Sequence, residues 1–131
     1  MPDPTFDYAV IRVVPRVERQ EFLNAGIILF CRTRRFLAAQ IALDRERLVC
    51  FAPGLDASDV EHHLSVFPLV CAGDPAAGPI GQLPLAGRFH WLVAPRSTTI
   101  QTSPVHSGMS ADPERSLEHL MRVMVSTPEE I

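Results

Sequence analysis

The sequence holds 131 residues with 12 basic and 15 acidic side chains, a formal net charge of −3, which fits one ordinary domain over residues 1–131. With 47% hydrophobic and 21% charged residues, it carries enough apolar surface for a core, which excludes disorder along the whole length. Every basic residue is arginine, so chemistries that need a lysine amine are excluded, among them Schiff-base catalysis, a phosphate-loop lysine and a kinase strand lysine. The cations present can clamp anions but cannot shuttle protons. With twelve prolines beside it, the use of arginine in place of lysine is the ordinary mark of a GC-rich coding sequence.

The opening Met1-Pro2-Asp3-Pro4-Thr5 is acidic and proline-punctuated and has no positive leader before an apolar stretch. A cytoplasmic location is therefore expected. The longest apolar run, Ala25 to Cys31, is far shorter than the about 20 residues a bilayer crossing takes, so no membrane association is expected. Cys31, Cys50 and Cys71 sit in apolar company and read as buried thiols in a reducing compartment.

Phe6 to Val14 is rich in β-formers and stops at Pro15, which predicts a strand with apolar residues on both faces and Arg12 as the one charge inside it. Gly26 to Phe30, again apolar on both faces, predicts a central strand. Thr33-Arg34-Arg35 then connects it to a third strand, Phe36 to Leu43, and strands this close in sequence pair antiparallel. Leu37, Ala39, Ile41 and Leu43 share one face of that strand.

Asp44 is placed to cap a short helix through Phe51. Ser58-Asp59-Val60-Glu61 has capping-box spacing, and Val60, Leu64, Phe67 and Cys71 behind it mark one helical face that Pro68 should end or kink. Gly73 to Gly87 reads as loop. Residues 88–94 are open between a helical turn and a strand. Ser97 to Ser103 reads as a fourth strand before Pro104. Asp112 and Pro113 open a final helix with Leu117, Leu120, Met121 and Met124 on its apolar side.

These elements predict an α+β fold, an antiparallel sheet of three to four strands with two to three helices packed on one face. Because the first two strands are apolar on both sides, the other face also needs cover. The segment around Trp91 could supply it, or a second copy of the chain, which makes a homodimer one expectation.

The histidines do not form a metal set, since His62 and His63 point apart on a helix and His90, His106 and His119 are scattered; neither metal nor other cofactor is expected. Arg32, Arg34, Arg35, Arg45 and Arg47 cluster in sequence, but the net acidic balance and sparse aromatics argue against nucleic acid. Ser97, Ser103 and Ser107 lie around His106, the minimum for an activated hydroxyl, without a nucleophile elbow. Neither Glu129-Glu130 at the C-terminal end nor Asp56 with Asp59 at a helix start makes a convincing acid/base pair, and no catalytic residue is expected.

Polar insertions in apolar surroundings are more specific. Arg12, inside the first strand, must pair or hold an anion to offset its desolvation, and Glu18 or Glu21 could pair with it internally. Glu21-Phe22-Leu23-Asn24-Ala25-Gly26 sets a carboxylate, an amide and a glycine ahead of the central strand, where backbone can approach a ligand or another chain. Arg96-Ser97-Thr98-Thr99 follows a proline with consecutive donors, a workable grip on an anion.

Through these segments the sequence resembles DUF3037, a bacterial family catalogued as a domain of unknown function. The residues that carry the likeness are Tyr8-Ala9-Val10, Val14-Pro15, Glu21 through Leu29, Phe89-x-Trp91-Leu92, Arg96-Ser97, Ile100-Gln101 and the terminal helix, nearly the whole chain. The resemblance implies no established activity, and it places emphasis on Asn24, Gly26, Arg96 and Ser97. It also implies a partner protein, since such genes neighbour HipA-like kinases. Two functions are expected on these grounds. One is a non-enzymatic interaction module that docks through a sheet face or edge strand. The alternative is a small anionic-ligand or phosphate-binding domain with weak hydrolase activity, in which Arg12 and Arg96 clamp the anion and Asn24 and Ser97 orient it. That clamp requires the two guanidiniums to lie within about 12 Å, the reach of one phosphate with hydrogen bonds of roughly 3 Å on each side.

Overall fold

The two runs that are apolar on both faces form the centre of the sheet. β1 (Thr5–Val13) and β2 (Leu23–Cys31) pair antiparallel, and β3 (Phe36–Ile41) pairs with the far side of β2. Two short strands share the other side of β1, with β4 (Ile100–Thr102) against Ile11–Val13 and β5 (His106–Met109) against Thr5–Tyr8. The result, in a computed structural model that describes residues 3–126, is a five-stranded antiparallel sheet in the order β3-β2-β1-β4, with β5 also on β1. Glu129 and Glu130 lie outside the described residues.

The α+β class is as expected, with more helices than anticipated: five among the described residues. α1 (Arg45–Phe51), α2 (Ala57–Leu64), α3 (Val66–Ala72) and α4 (Leu85–Leu92) cover one face, where Ala9, Ile11, Val13, Ile28 and Phe30 meet Leu48, Leu64, Phe67, Val70 and Phe89. The opposite face carries Phe6, Val10, Ile27, Leu29 and Cys31, and α5 (Pro113–Met124) closes it with Leu117 and Met121. Placement of the helices on one face therefore holds for α1–α4 alone. The second face is covered by the terminal helix and not by the Trp91 segment, so it needs no second copy for cover.

Several local expectations change for identifiable reasons. Asp56, not Ser58, caps α2 by accepting from the backbone N–H groups of Ser58 (2.9 Å) and Asp59 (3.4 Å). Glu61 instead takes a two-pronged hydrogen bond from Arg45, Nε to Oε1 at 2.5 Å and Nη2 to Oε2 at 3.1 Å, which holds its carboxyl below the usual range. Pro68 falls in the first turn of α3, where its missing N–H breaks no bond, so the helical face predicted from Val60 to Cys71 is split at Ser65. The expected loop from Gly73 to Gly87 contains a 3-10 segment, Pro75–Gln82, kinked at Gly78, and the first turn of α4. Phe89 and Leu92, buried three positions apart, settle residues 88–92 as helix. The fourth strand is shorter than expected and is followed by the unanticipated β5. Cys31 and Cys71 are buried but Cys50 is exposed, because two residues along a helix from the buried Leu48 is a rotation of about 200°.

Candidate functional site

α2 and the end of α4 face each other across a groove of about 380 Å³ on the four-helix side of the sheet. The Asp56 cap sets where α2 begins, and from that start Asp59, Val60 and His63 line one wall, with Asp59 and His63 one helical turn apart at 3.9 Å. Phe67, Leu92 and Ile100 give the groove an apolar lining.

The other wall is built where the chain leaves α4. Trp91 is 39% exposed, and the turn through Pro95 lays the Arg96 guanidinium 4.6 Å from the centre of its ring. Nη2 of Arg96 also donates to the Trp91 carbonyl at 2.5 Å. Stacking and hydrogen bond together fix the plane of the guanidinium. No carboxylate neutralises Arg96 among the described residues. Beyond it, Thr98 Oγ1 donates to the Ile100 carbonyl (2.8 Å), Gln101 Nε2 donates to the Thr98 carbonyl (2.8 Å), and the Val14 N–H donates to the Thr99 carbonyl (2.6 Å). This wall is thereby pinned to the end of β1.

A second hollow, about 580 Å³ and lined by Arg16, Arg19, Glu21, Phe51 and Leu55 among others, is larger. Its Arg19 and Glu21 pair with one another, which leaves Arg16 as the cation of that lining in no ion pair among the described residues.

The structure distributes the six expected site residues over both faces and the surface. Arg12 shares the α5 face with Val10, two residues before it on β1, and lies opposite Asn24 in the register. Its guanidinium stacks 3.9 Å from the centre of the Phe22 ring. Neither Glu18 nor Glu21 pairs with it, Nε has no hydrogen-bond partner, and burial pushes its pKa below the usual arginine value. Asn24 donates from Nδ2 to the Met124 carbonyl at 3.0 Å and so ties β2 to the end of α5, while its Oδ1 is unpartnered.

Gly26 admits β3, not a ligand. A Cβ there would lie 2.5 Å from the Gln40 carbonyl oxygen and 2.7 Å from Ile41 Cδ1. Ser97 is exposed and outside the groove lining. Arg12 and Arg96 thus point to opposite faces of the sheet, each guanidinium lying over its own aromatic ring. The serines around His106 also separate. Ser103 accepts from the Val10 N–H, Ser107 donates to Asp7, and the His106 ring packs beside Tyr8.

Asp59, His63 and Trp91 were not legible as site residues in the sequence. The four-residue spacing on α2 and the five-residue spacing from Trp91 to Arg96 were visible, but only the fold brings the two segments together. Arg88 was missed as well. It donates from Nε to the Leu83 carbonyl (2.8 Å) and from Nη1 to the Val70 (3.3 Å) and Cys71 (2.9 Å) carbonyls, so it closes the end of α3 against the start of α4.

No curated protein and no solved structure matches the chain. The family model described as "Protein of unknown function (DUF3037)" matches residues 8–125, a span that runs from β1 through the groove to the end of α5. On that match, the chain belongs to the DUF3037 family.

Proposed function

We propose that this protein is a non-catalytic interaction module whose groove receives an apolar segment bearing a carboxylate, such as the end of a partner chain with a leucine-like side chain. The observation that supports this reading is the un-neutralised Arg96 guanidinium held over the Trp91 ring at the wall of a mainly apolar groove that Asp56 and Asp59 also line. An arginine with one N–H committed to a backbone carbonyl keeps an edge free to receive a carboxylate in two-pronged fashion. Val60, Phe67, Leu92 and Ile100 would take the apolar group, whose burial supplies the larger, less directional part of the affinity. Asp59 on the facing wall is an acceptor suited to an amide N–H of the same segment. The HipA-like kinase implied by the family resemblance is one protein class that could carry such a segment.

The chain contains one tryptophan, and it lies in the groove, so its emission reports occupancy directly. Titration with N-acetyl-leucine should shift Trp91 emission saturably. Its amide, which lacks the charge, should bind about tenfold more weakly or worse. Arg96→Gln should abolish the preference for the acid. Equal response to acid and amide, or response to neither, overturns the reading.

A further inference from the structure

The two edges of the sheet are built differently. On the β4/β5 side the edge is short and interrupted at Pro104, which is how natural sheets avoid pairing with another chain. On the other side β3 runs unbroken from Phe36 to Ile41 and carries no charge and no proline.

The register identifies which backbone groups that edge leaves open. Gly26 lies opposite Ile41, and the Ala42 N–H donates to the Ala25 carbonyl at 2.8 Å. In an antiparallel ladder this makes Phe36, Ala38 and Gln40 the residues bonded to β2 and turns the N–H and C=O groups of Leu37, Ala39 and Ile41 outward. None of these outward groups has a partner among the described residues.

We propose that two copies of this chain join through β3, antiparallel, about a two-fold axis at Ala39. Only outward-facing residues can bond across such a seam. Leu37 then meets Ile41 of the second copy, Ala39 meets Ala39, and Ile41 meets Leu37, for about six backbone hydrogen bonds. No other allowed register uses all three residues on both strands. Small side chains at the centre, Ala38 and Ala39, let the strands close.

Charge agrees with this register. Antiparallel pairing brings the Arg32–Arg35 turn of one copy alongside the Asp44–Glu46 start of α1 in the other. Arg32, Arg34, Arg35, Glu46 and Arg47 are exposed and in no ion pair among the described residues. Of the two cations on α1 that would oppose the arginines, Arg45 is already committed to Glu61, and Arg47 lies one residue beyond Glu46, farther from the Arg32–Arg35 turn in this register. The two joined sheets keep α1–α4 of both copies on one side and α5 of both on the other, because residues opposite each other across the seam share a face.

The test is sedimentation over a concentration series, read together with amide hydrogen exchange. A dimer is expected, with the Leu37, Ala39 and Ile41 amides exchanging more slowly as concentration rises. Ala39→Pro removes an N–H that points away from β2, so it leaves the internal ladder intact and should weaken association at least about tenfold. Arg34→Glu should weaken association too, and the further change Glu46→Arg should restore it without touching any buried residue. A monomer at about 100 µM, where an interface of this kind should be populated, overturns the proposal. So does a dimer in which those three amides stay fast or the charge exchange fails to rescue.

Discussion

Ser103 shows how much a single hydroxyl can carry in this sheet. It is 3% exposed and lies where β4 has ended and β5 has not begun. Its backbone N–H donates to the Val10 carbonyl (2.8 Å), and its Oγ accepts from the Val10 N–H (2.8 Å) while donating to the Pro104 carbonyl (2.9 Å). One residue therefore satisfies both backbone groups of Val10 where the ladder is interrupted. Ser103→Ala should cost about 1–3 kcal/mol by leaving the Val10 N–H buried and unpaired, measurable by urea unfolding with an unchanged slope. A loss under about 0.5 kcal/mol would mean that water takes over the bond. In the sequence this serine looked like any other beside His106, since nothing in the local pattern distinguishes a hydroxyl that mends a strand from one available for chemistry.

Cys71 is governed by burial in the same way. Desolvation, partly countered by the charge of Arg88, pushes its thiol up to about 12 from the ordinary 9.0. Above pH 9 the unfolded chain releases this proton while the folded chain retains it, so the stability tied to the neutral thiol is complete below that pH and falls as pH climbs toward 12. The expected loss approaches about 1.4 kcal/mol per pH unit within that window. Urea unfolding at about pH 8 and pH 10.5 should show a shallower decline for Cys71→Ala than for the parent, and parallel declines would refute the assignment.

Among the elements, α5 has the clearest sequence signature and the largest structural consequence. Asp112 accepts from the Arg115 N–H (3.2 Å), Pro113 opens the first turn, and Leu117 and Met121 are buried, all as the spacing predicts. Its position could not be read from that spacing, because amphipathicity reports that a helix has a buried side, not which surface it meets. The strands announced the vacancy through their two apolar faces, and Asn24, bonded to the last turn of the helix, marks where the two meet. Leu117→Ala should cost about 3 kcal/mol and open the covering over Val10, Ile27 and Leu29. Thermal unfolding together with dye binding to exposed apolar surface would measure both effects, and a change below about 1 kcal/mol would show that the helix contributes little.

At the scale of the molecule, the central strands and both terminal elements were readable because their patterns are long and repetitive. The candidate site was less so. Arg12, Asn24 and Arg96 stood out as polar residues in apolar settings, but the fold sends the first two to the α5 face and the third to the groove. Which face a residue occupies depends on strand register, and here the pairing steps from Ile11 with Gly26 to Arg12 with Asn24, which leaves Ala25 as an extra residue on β2 and shifts the alternation that places Asn24. A bulge of this kind changes alternation by one residue without a signature strong enough to place it from one sequence. Gly26, read as room for a ligand, is room for β3.

The division of the core between two faces also bears on biosynthesis. Every strand precedes α5 in the chain, so during translation the Val10–Ile27–Leu29 stripe is made before the helix that will shelter it. A ribosome adding residues at about 5–20 per second takes roughly 4–17 seconds to pass from Leu29 to the start of α5, and the greasy strip stays unsheltered meanwhile. Nascent chains paused in this interval should be the form most prone to capture by chaperones, and slowing translation between β5 and α5 should lower the yield of native protein more than slowing it elsewhere.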